Sequence, residues 1–195
     1  MVVVKIGGSL QYTNYIKKWI NEIRLNRNTS FLIVFGGGSY ANNIRHEQKE
    51  KNYDDLIAHK LAIIGMNYLT QDALKDLEDF KVINSIENLK SNYKSRKLLV
   101  WMPSYEEVCN FNIPNNWEAT SDSIALAISK SIKAPLIIIK SARFNCKQHA
   151  NTFFLKDNIL DQYFSKNYSN SSQKISLVSK ERYYKLREIC KDFAN

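Results

Sequence analysis

Twice before Tyr40 an apolar run ends in glycines and passes into a helical pattern, and this repetition limits the possible folds more than any other feature. Val2-Val3-Val4-Lys5-Ile6 leads into Gly7-Gly8-Ser9, and Phe31-Leu32-Ile33-Val34-Phe35 leads into Gly36-Gly37-Gly38-Ser39. Short β-branched or aromatic runs bounded by glycine fit strands buried on both faces. Between them, Tyr12 to Arg27 carries Tyr15, Ile16, Trp19, Ile20 and Ile23 at helical spacing, which supplies the crossover that two parallel strands require. The pattern therefore predicts a parallel α/β sheet. In such sheets ligands bind beyond the carboxyl ends of the strands, so both glycine loops open on one edge.

The residues at that edge point to an anion. Gly7-Gly8 allows a tight turn and close backbone approach, and Ser9 adds a hydroxyl at a helix start, where free N–H groups favour negative charge. Lys5 is an ammonium in a strand otherwise fit for the core, and it needs a negative partner unless it faces water from an edge strand. The order is not that of a Walker A loop, because the lysine precedes the glycines. Two glycine loops at equivalent positions, one preceded by lysine, suit a site where two phosphate-bearing groups meet. Behind the second loop Asn42 and Arg45 share a helix face. Arg45 reads either as a bidentate phosphate ligand or as a surface arginine.

Further along, Asp54 to Leu77 predicts a long helix with Leu56, Ile57, Leu61, Ile64, Met66, Leu69, Leu74 and Leu77 on its apolar face. His59 within it reads as a structural hydrogen-bonder or a catalytic group. Strands are expected at Lys81–Ile83, Leu98–Trp101, Leu136–Lys140 and Lys174–Val178, with a closing helix over Lys180–Phe193. In Trp117 to Ile128, Thr120, Ser121 and Asp122 are each good helix N-caps, yet a cluster of hydroxyls with a carboxylate also suits orienting a basic side chain beside a phosphate. Lys140 is either a second cation at the carboxyl edge or an exposed strand terminus. The stretch from Arg143 to Ser172 is polar and weakly periodic.

With 195 residues, 44% hydrophobic and 24% charged, the chain suits one globular domain over 1–195. The net charge of +9 comes from 21 lysines and 7 arginines spread among many asparagines, a compositional bias and not a nucleic-acid interface, though it would attract anionic substrates. Cys109, Cys146 and Cys190 fit no metal or disulfide spacing and read as reduced thiols. A core strand at the very start leaves no room for a signal peptide, and no apolar run approaches the roughly 20 residues that cross a bilayer, so a cytoplasmic protein without a membrane partner is expected.

Taken together, Lys5-Ile6-Gly7-Gly8-Ser9, Gly36-Gly37-Gly38 and Thr120-Ser121-Asp122-Ser123 resemble the amino acid kinase superfamily. The details Gly36 to Asn42, His59-Lys60-Leu61-Ala62-Ile63, and Trp117 three residues before Thr120 look most like its small branch of aminomethylfuranyl-methyl phosphate kinases, which serve methanofuran synthesis in methanogens and have short relatives in methylotrophic bacteria. The resemblance implies a three-layer α/β/α sandwich with a mainly parallel open sheet of about eight strands, ATP and Mg²⁺ as cofactors, a phosphorylated small-molecule substrate and a homo-oligomer. By analogy Lys5 and Asp122 are catalytic, the aspartate orienting the lysine. Gly7, Gly8, Ser9, Ser121, Ser123 and Lys140 would hold ATP phosphates. Gly36, Gly37, Gly38, Asn42, Arg45, His59 and Thr120 would hold the acceptor. Where many relatives follow the fourth strand with a T-D-V-D-G-like run, this chain has Lys140-Ser141-Ala142-Arg143; a second lysine would come from Lys140, Lys156 or Lys174. Another carboxylate or phosphate acceptor, and a non-catalytic nucleotide- or phosphate-binding role, are the alternatives.

Overall fold

In a computed structural model, which describes residues 1–26, 28–93, 98–142, 159–168 and 173–194, the chain alternates strands and helices. The strands are β1 (Val2–Ile6), β2 (Phe31–Phe35), β3 (Phe80–Ile83), β4 (Leu98–Trp101), β5 (Leu136–Lys140) and β6 (Ile175–Ser179). The helices are α1 (Tyr15–Leu25), α2 (Gly38–Lys51), α3 (Asp55–Leu74), α4 (Ile86–Ser91), α5 (Tyr105–Cys109), α6 (Ser121–Ser131), α7 (Gln162–Tyr168) and α8 (Leu186–Ala194). The strands form one sheet in the order β3-β4-β2-β1-β5-β6, and every pair is parallel. The resemblance implied about eight strands; six are present among the described residues. Each strand lies within a residue or two of its expected place.

Period-two alternation divides the apolar residues between two cores. Val3, Leu32, Val34, Leu99 and Ile138 face one side with Ile63, Met66, Ile124 and Ile128 of α3 and α6. Val4, Ile6, Ile33, Val100 and Ile139 face the other with Trp19, Ile20 and Ile23 of α1 and Leu186 of α8. This is the expected three-layer sandwich. Lys5 shares the parity of Val3 and pairs in register with Val34 and Ile138, so its side chain leaves the sheet on the α3–α6 side. The first strand is central, not an edge, which removes the water-facing reading of Lys5. No helix among the described residues is long and apolar enough to cross a membrane.

The long helix α3 departs from its expected apolar face. Leu56, Ile57 and Ile64 are 48%, 47% and 42% exposed, whereas Ala58, Ala62, Gly65, Met66 and Leu69 are buried. The reason is the neighbour. Helix α2 lies so close to α3 that a Cβ on Gly65 would stand 3.0 Å from the Tyr40 Cβ, so small residues occupy the contact and the larger ones turn outward. Helix α2 begins at Gly38, inside the second glycine loop, and buries none of its own residues. It is held on the outside of the molecule by α3, where it can present side chains to a ligand.

Candidate active site

The two glycine loops meet face to face at the carboxyl edge of β1 and β2. A Cβ on Gly8 would lie 2.2 Å from the Gly38 backbone nitrogen, a contact no side chain tolerates. Gly38 itself has a φ of +55°, in the left-handed region that favours glycine. Gln11 completes the junction, its side-chain oxygen accepting from the Ser39 N–H at 2.7 Å, and Tyr12 donates to the Ser39 hydroxyl at 3.1 Å. Ser9 donates to the Ser141 hydroxyl at 2.9 Å, tying the first loop to the end of β5. Neither Gln11 nor Ser141 was singled out from sequence, because the pairings exist only once β1, β2 and β5 are adjacent.

Behind the loops lies a buried charge cluster. Lys5 Nζ is 2.6 Å from Asp122 Oδ1, and Lys140 Nζ is 2.5 Å from Oδ2, so one carboxylate bridges two ammonium groups. The Lys5 and Asp122 side chains are 4% and 3% exposed, and that of Lys140 is 16% exposed. Among the described residues Lys140 is the second lysine on Asp122; the Lys174 ammonium instead donates to the Phe193 carbonyl, and Lys156 lies outside the described residues. Burial pushes the Lys5 pKa down from 10.5 to about 8; Asp122 opposes the shift and Lys140 adds to it. Burial alone would raise the Asp122 pKa, but the two lysines outweigh it and hold the carboxylate below its ordinary range. The Lys5 ammonium carries three donors, so its contact with Oδ1 at 2.6 Å leaves others to turn toward a ligand.

A cavity of about 240 Å³ opens in front of this cluster. Of the expected site residues, Lys5, Gly7, Gly8, Ser9, Gly36, Gly37, Gly38, Asn42, Arg45, His59, Thr120, Ser121 and Lys140 line it. Asp122 and Ser123 do not. Asp122 stands behind its lysines, and the Ser123 hydroxyl is turned to Asp161 at 2.5 Å, leaving it nothing to offer a phosphate. The Thr120 hydroxyl also donates to Asp161, at 2.8 Å. The threonine makes no side-chain cap of its own on α6; Asp161 supplies the cap from across the fold.

The opposite wall was only partly legible. Arg45 lies over the Trp117 ring, 4.3 Å from its centroid, and the Trp117 N–H donates to the Gln48 side-chain oxygen at 2.6 Å. The arginine thus has its guanidinium resting on an aromatic face and forms no ion pair among the described residues. His59 is 4% exposed, with Nδ1 3.1 Å from the Asn115 side-chain oxygen; burial lowers its pKa, so the ring is neutral. Between the cations the cavity is apolar, formed by Ala41, Ala62, Ile63, Met66, Ala119 and Ile124. Three cations against one carboxylate call for an anionic ligand, and the apolar stretch between them suits an organic body.

Solved structures share the architecture. The chain superposes on uridylate kinase from Archaeoglobus fulgidus with a TM-score of 0.66 at 15% identity, covering 95% of this chain and 94% of that one. On UMP kinase from Bacillus anthracis the TM-score is 0.71 at 12% identity, covering 98% and 91%. The chain has the amino acid kinase fold. Aspartate kinase from Synechocystis matches this amino acid kinase fold over 93% of the present chain and 38% of its own, with a TM-score of 0.63 and 14% identity. In sequence, 140 residues are 31% identical to (5-(aminomethyl)furan-3-yl)methyl phosphate kinase of Methanocaldococcus jannaschii, a stretch that covers 71% of this chain and 64% of that relative. No protein-family model matches the chain.

Proposed function

We propose that the chain is an ATP-dependent small-molecule kinase whose acceptor is a phosphorylated aminomethylfuran, working in the cytoplasm in methanofuran-type cofactor synthesis. The observation that carries this reading is the pairing of Lys5 and Lys140 on Asp122 immediately behind the interlocked glycine loops. Phosphoryl transfer is catalysed mainly by positioning and by cations that neutralise spreading charge. Lys5, dry and aimed by Asp122, suits the transferring group, while Lys140 and the amides of the first loop suit the donor phosphates. The acceptor fits between them and Arg45, its ring against Ile63, Met66 and Trp117. A phosphate oxygen of the acceptor then bonds to the terminal phosphorus of ATP as the bond to ADP breaks, giving a diphosphate.

The name of the 31%-identical relative supports that acceptor. Among the described residues no group of three His, Cys, Asp or Glu side chains stands ready for a metal. Mg²⁺ would arrive on the ATP phosphates and keep part of its water shell, supplying charge neutralisation. A homo-oligomer is part of the proposal, and the outward apolar residues Ile57, Ile64 and Tyr68 of α3 offer it a surface.

Phosphorus NMR with MgATP and the aminomethylfuran monophosphate tests the reading. A diphosphate product is expected from the wild-type protein, and Lys5→Ala should lose about 10²–10³-fold in turnover while still binding the acceptor. Intact ATP beside a bound acceptor would replace the kinase by a binding protein.

A further inference from the structure

One carboxylate outside the cavity organises the start of α6. Asp161 Oδ2 accepts from the Thr120 N–H at 2.8 Å, the Thr120 hydroxyl at 2.8 Å and the Ser123 N–H at 3.1 Å. Its Oδ1 accepts from the Ser123 hydroxyl at 2.5 Å and from the Phe164 N–H at 2.7 Å. The same side chain therefore caps α7 from within and α6 from across the fold, satisfying orphan N–H groups at both helix starts. Its bonds bracket Ser121, which lines the cavity, and Asp122, which lies one residue further on. We propose that Asp161 is a positioning residue of the phosphoryl-transfer site: by fixing the first turn of α6 it holds Asp122 between Lys5 and Lys140.

This rests on the kinase reading above for what the site does, but not for the geometry. A carboxylate with two acceptor atoms and a full charge can take five donors at once; an asparagine cannot, because its amide nitrogen would meet a donor on one side or the other. Asp161 also acts on Lys5 through space, adding to Asp122 in favouring the ammonium, against the desolvation of Lys5 and the repulsion of Lys140. These are the charged groups around the Lys5 amine; Arg45 and neutral His59 stand across the cavity. Its loss should therefore both loosen Asp122 and make Lys5 release its proton more easily.

The test compares wild type with Asp161→Asn by steady-state kinetics and by NMR titration of ¹³C-methylene lysines, the Lys5 signal being assigned from Lys5→Arg. Asp161→Asn should lose about 100-fold in kcat with a smaller change in KM, the size expected when reacting groups move by about an ångström. Its Lys5 midpoint should move to lower pH. A variant with reduced melting temperature but wild-type kcat and an unmoved Lys5 titration would overturn the proposal and leave Asp161 a structural cap. Should Asp161→Asn fail to fold, Ser123→Ala decides: it removes one donor of five outside the cavity, and a severalfold fall in kcat at unchanged KM upholds positioning, whereas wild-type kcat overturns it. If the wild type shows no turnover at all, the kinase reading fails, and the Lys5 titration, which needs no turnover, still decides whether Asp161 governs the lysine pair.

Discussion

The cavity has two cationic ends built in opposite ways. At one end Lys5 and Lys140 share a carboxylate inside the protein, at 2.6 and 2.5 Å, and that carboxylate stands in the first turn of α6. At the other, Arg45 lies exposed on a helix with no buried residue, steadied by the face of Trp117 and indirectly by Gln48. Charge of the same sign therefore serves two purposes. A desolvated, preorganised cation acts strongly at a fixed point, as a transition state requires. Under the proposed function a solvated arginine would reach and release, and its contribution would fall on binding.

Substitutions at each end should separate accordingly. Asp122→Asn strands two ammonium groups around a neutral amide, so it should cost about 3–5 kcal/mol of stability, read as a fall in melting temperature, together with turnover. If stability is unaffected, the two ends are not built as differently as the geometry implies. Acid should act like that variant: the carboxylate's contribution is complete above its unfolded pKa of 3.8 and is lost as pH falls through its lower folded value, so denaturation should begin below about pH 4.

Alkali sharpens the comparison from the other side. Lys5 in the free protein loses its proton near pH 8, so kcat/KM should decline above that pH, about tenfold per unit. The limb of kcat should lie higher, because bound anions favour the ammonium. The sign for folding is the reverse: a lysine whose folded pKa lies below its unfolded 10.5 costs stability at neutral pH, and that cost is relieved between pH 8 and 10.5. Activity and stability should thus part company there. Arg45→Ala should raise KM for the acceptor about tenfold with kcat nearly unchanged. Trp117→Phe should do less, since an exposed cation–π contact is worth about 0.5–1 kcal/mol. A fall in kcat equal to that in kcat/KM for either would move Arg45 into the chemistry.

Much of this plan was legible in local pattern. Apolar runs bounded by glycine identified β1, β2 and β5, because a strand buried on both faces has no other composition available to it. Lys5 announced a missing negative partner by its presence in such a run. The resemblance to amino acid kinases carried Asp122 to that role. It placed Ser123 at the phosphates and Thr120 at the acceptor, but not the carboxylate that takes both hydroxyls: such groups at a helix start look alike whether they face a ligand or a distant side chain. Asp161, more than 35 residues away in sequence, took both.

The long helix shows the same division. Leucine and isoleucine at helical spacing made α3 readable, but which stripe turned inward depended on how near α2 came, and Gly65 outranked Leu56 and Ile64 for that contact. The amino-acid sequence by itself determined the parallel sheet, the glycine edge and a buried lysine that must be paired, since each follows from the periodicity and solvation of neighbouring residues. Only the tertiary structure decided that Lys140 completes the pair, that Trp117 carries Arg45 and that Asp161 holds the start of α6. Each of those is a contact between groups far apart in the chain, and ion pairs and hydrogen bonds depend on distances that local pattern does not encode.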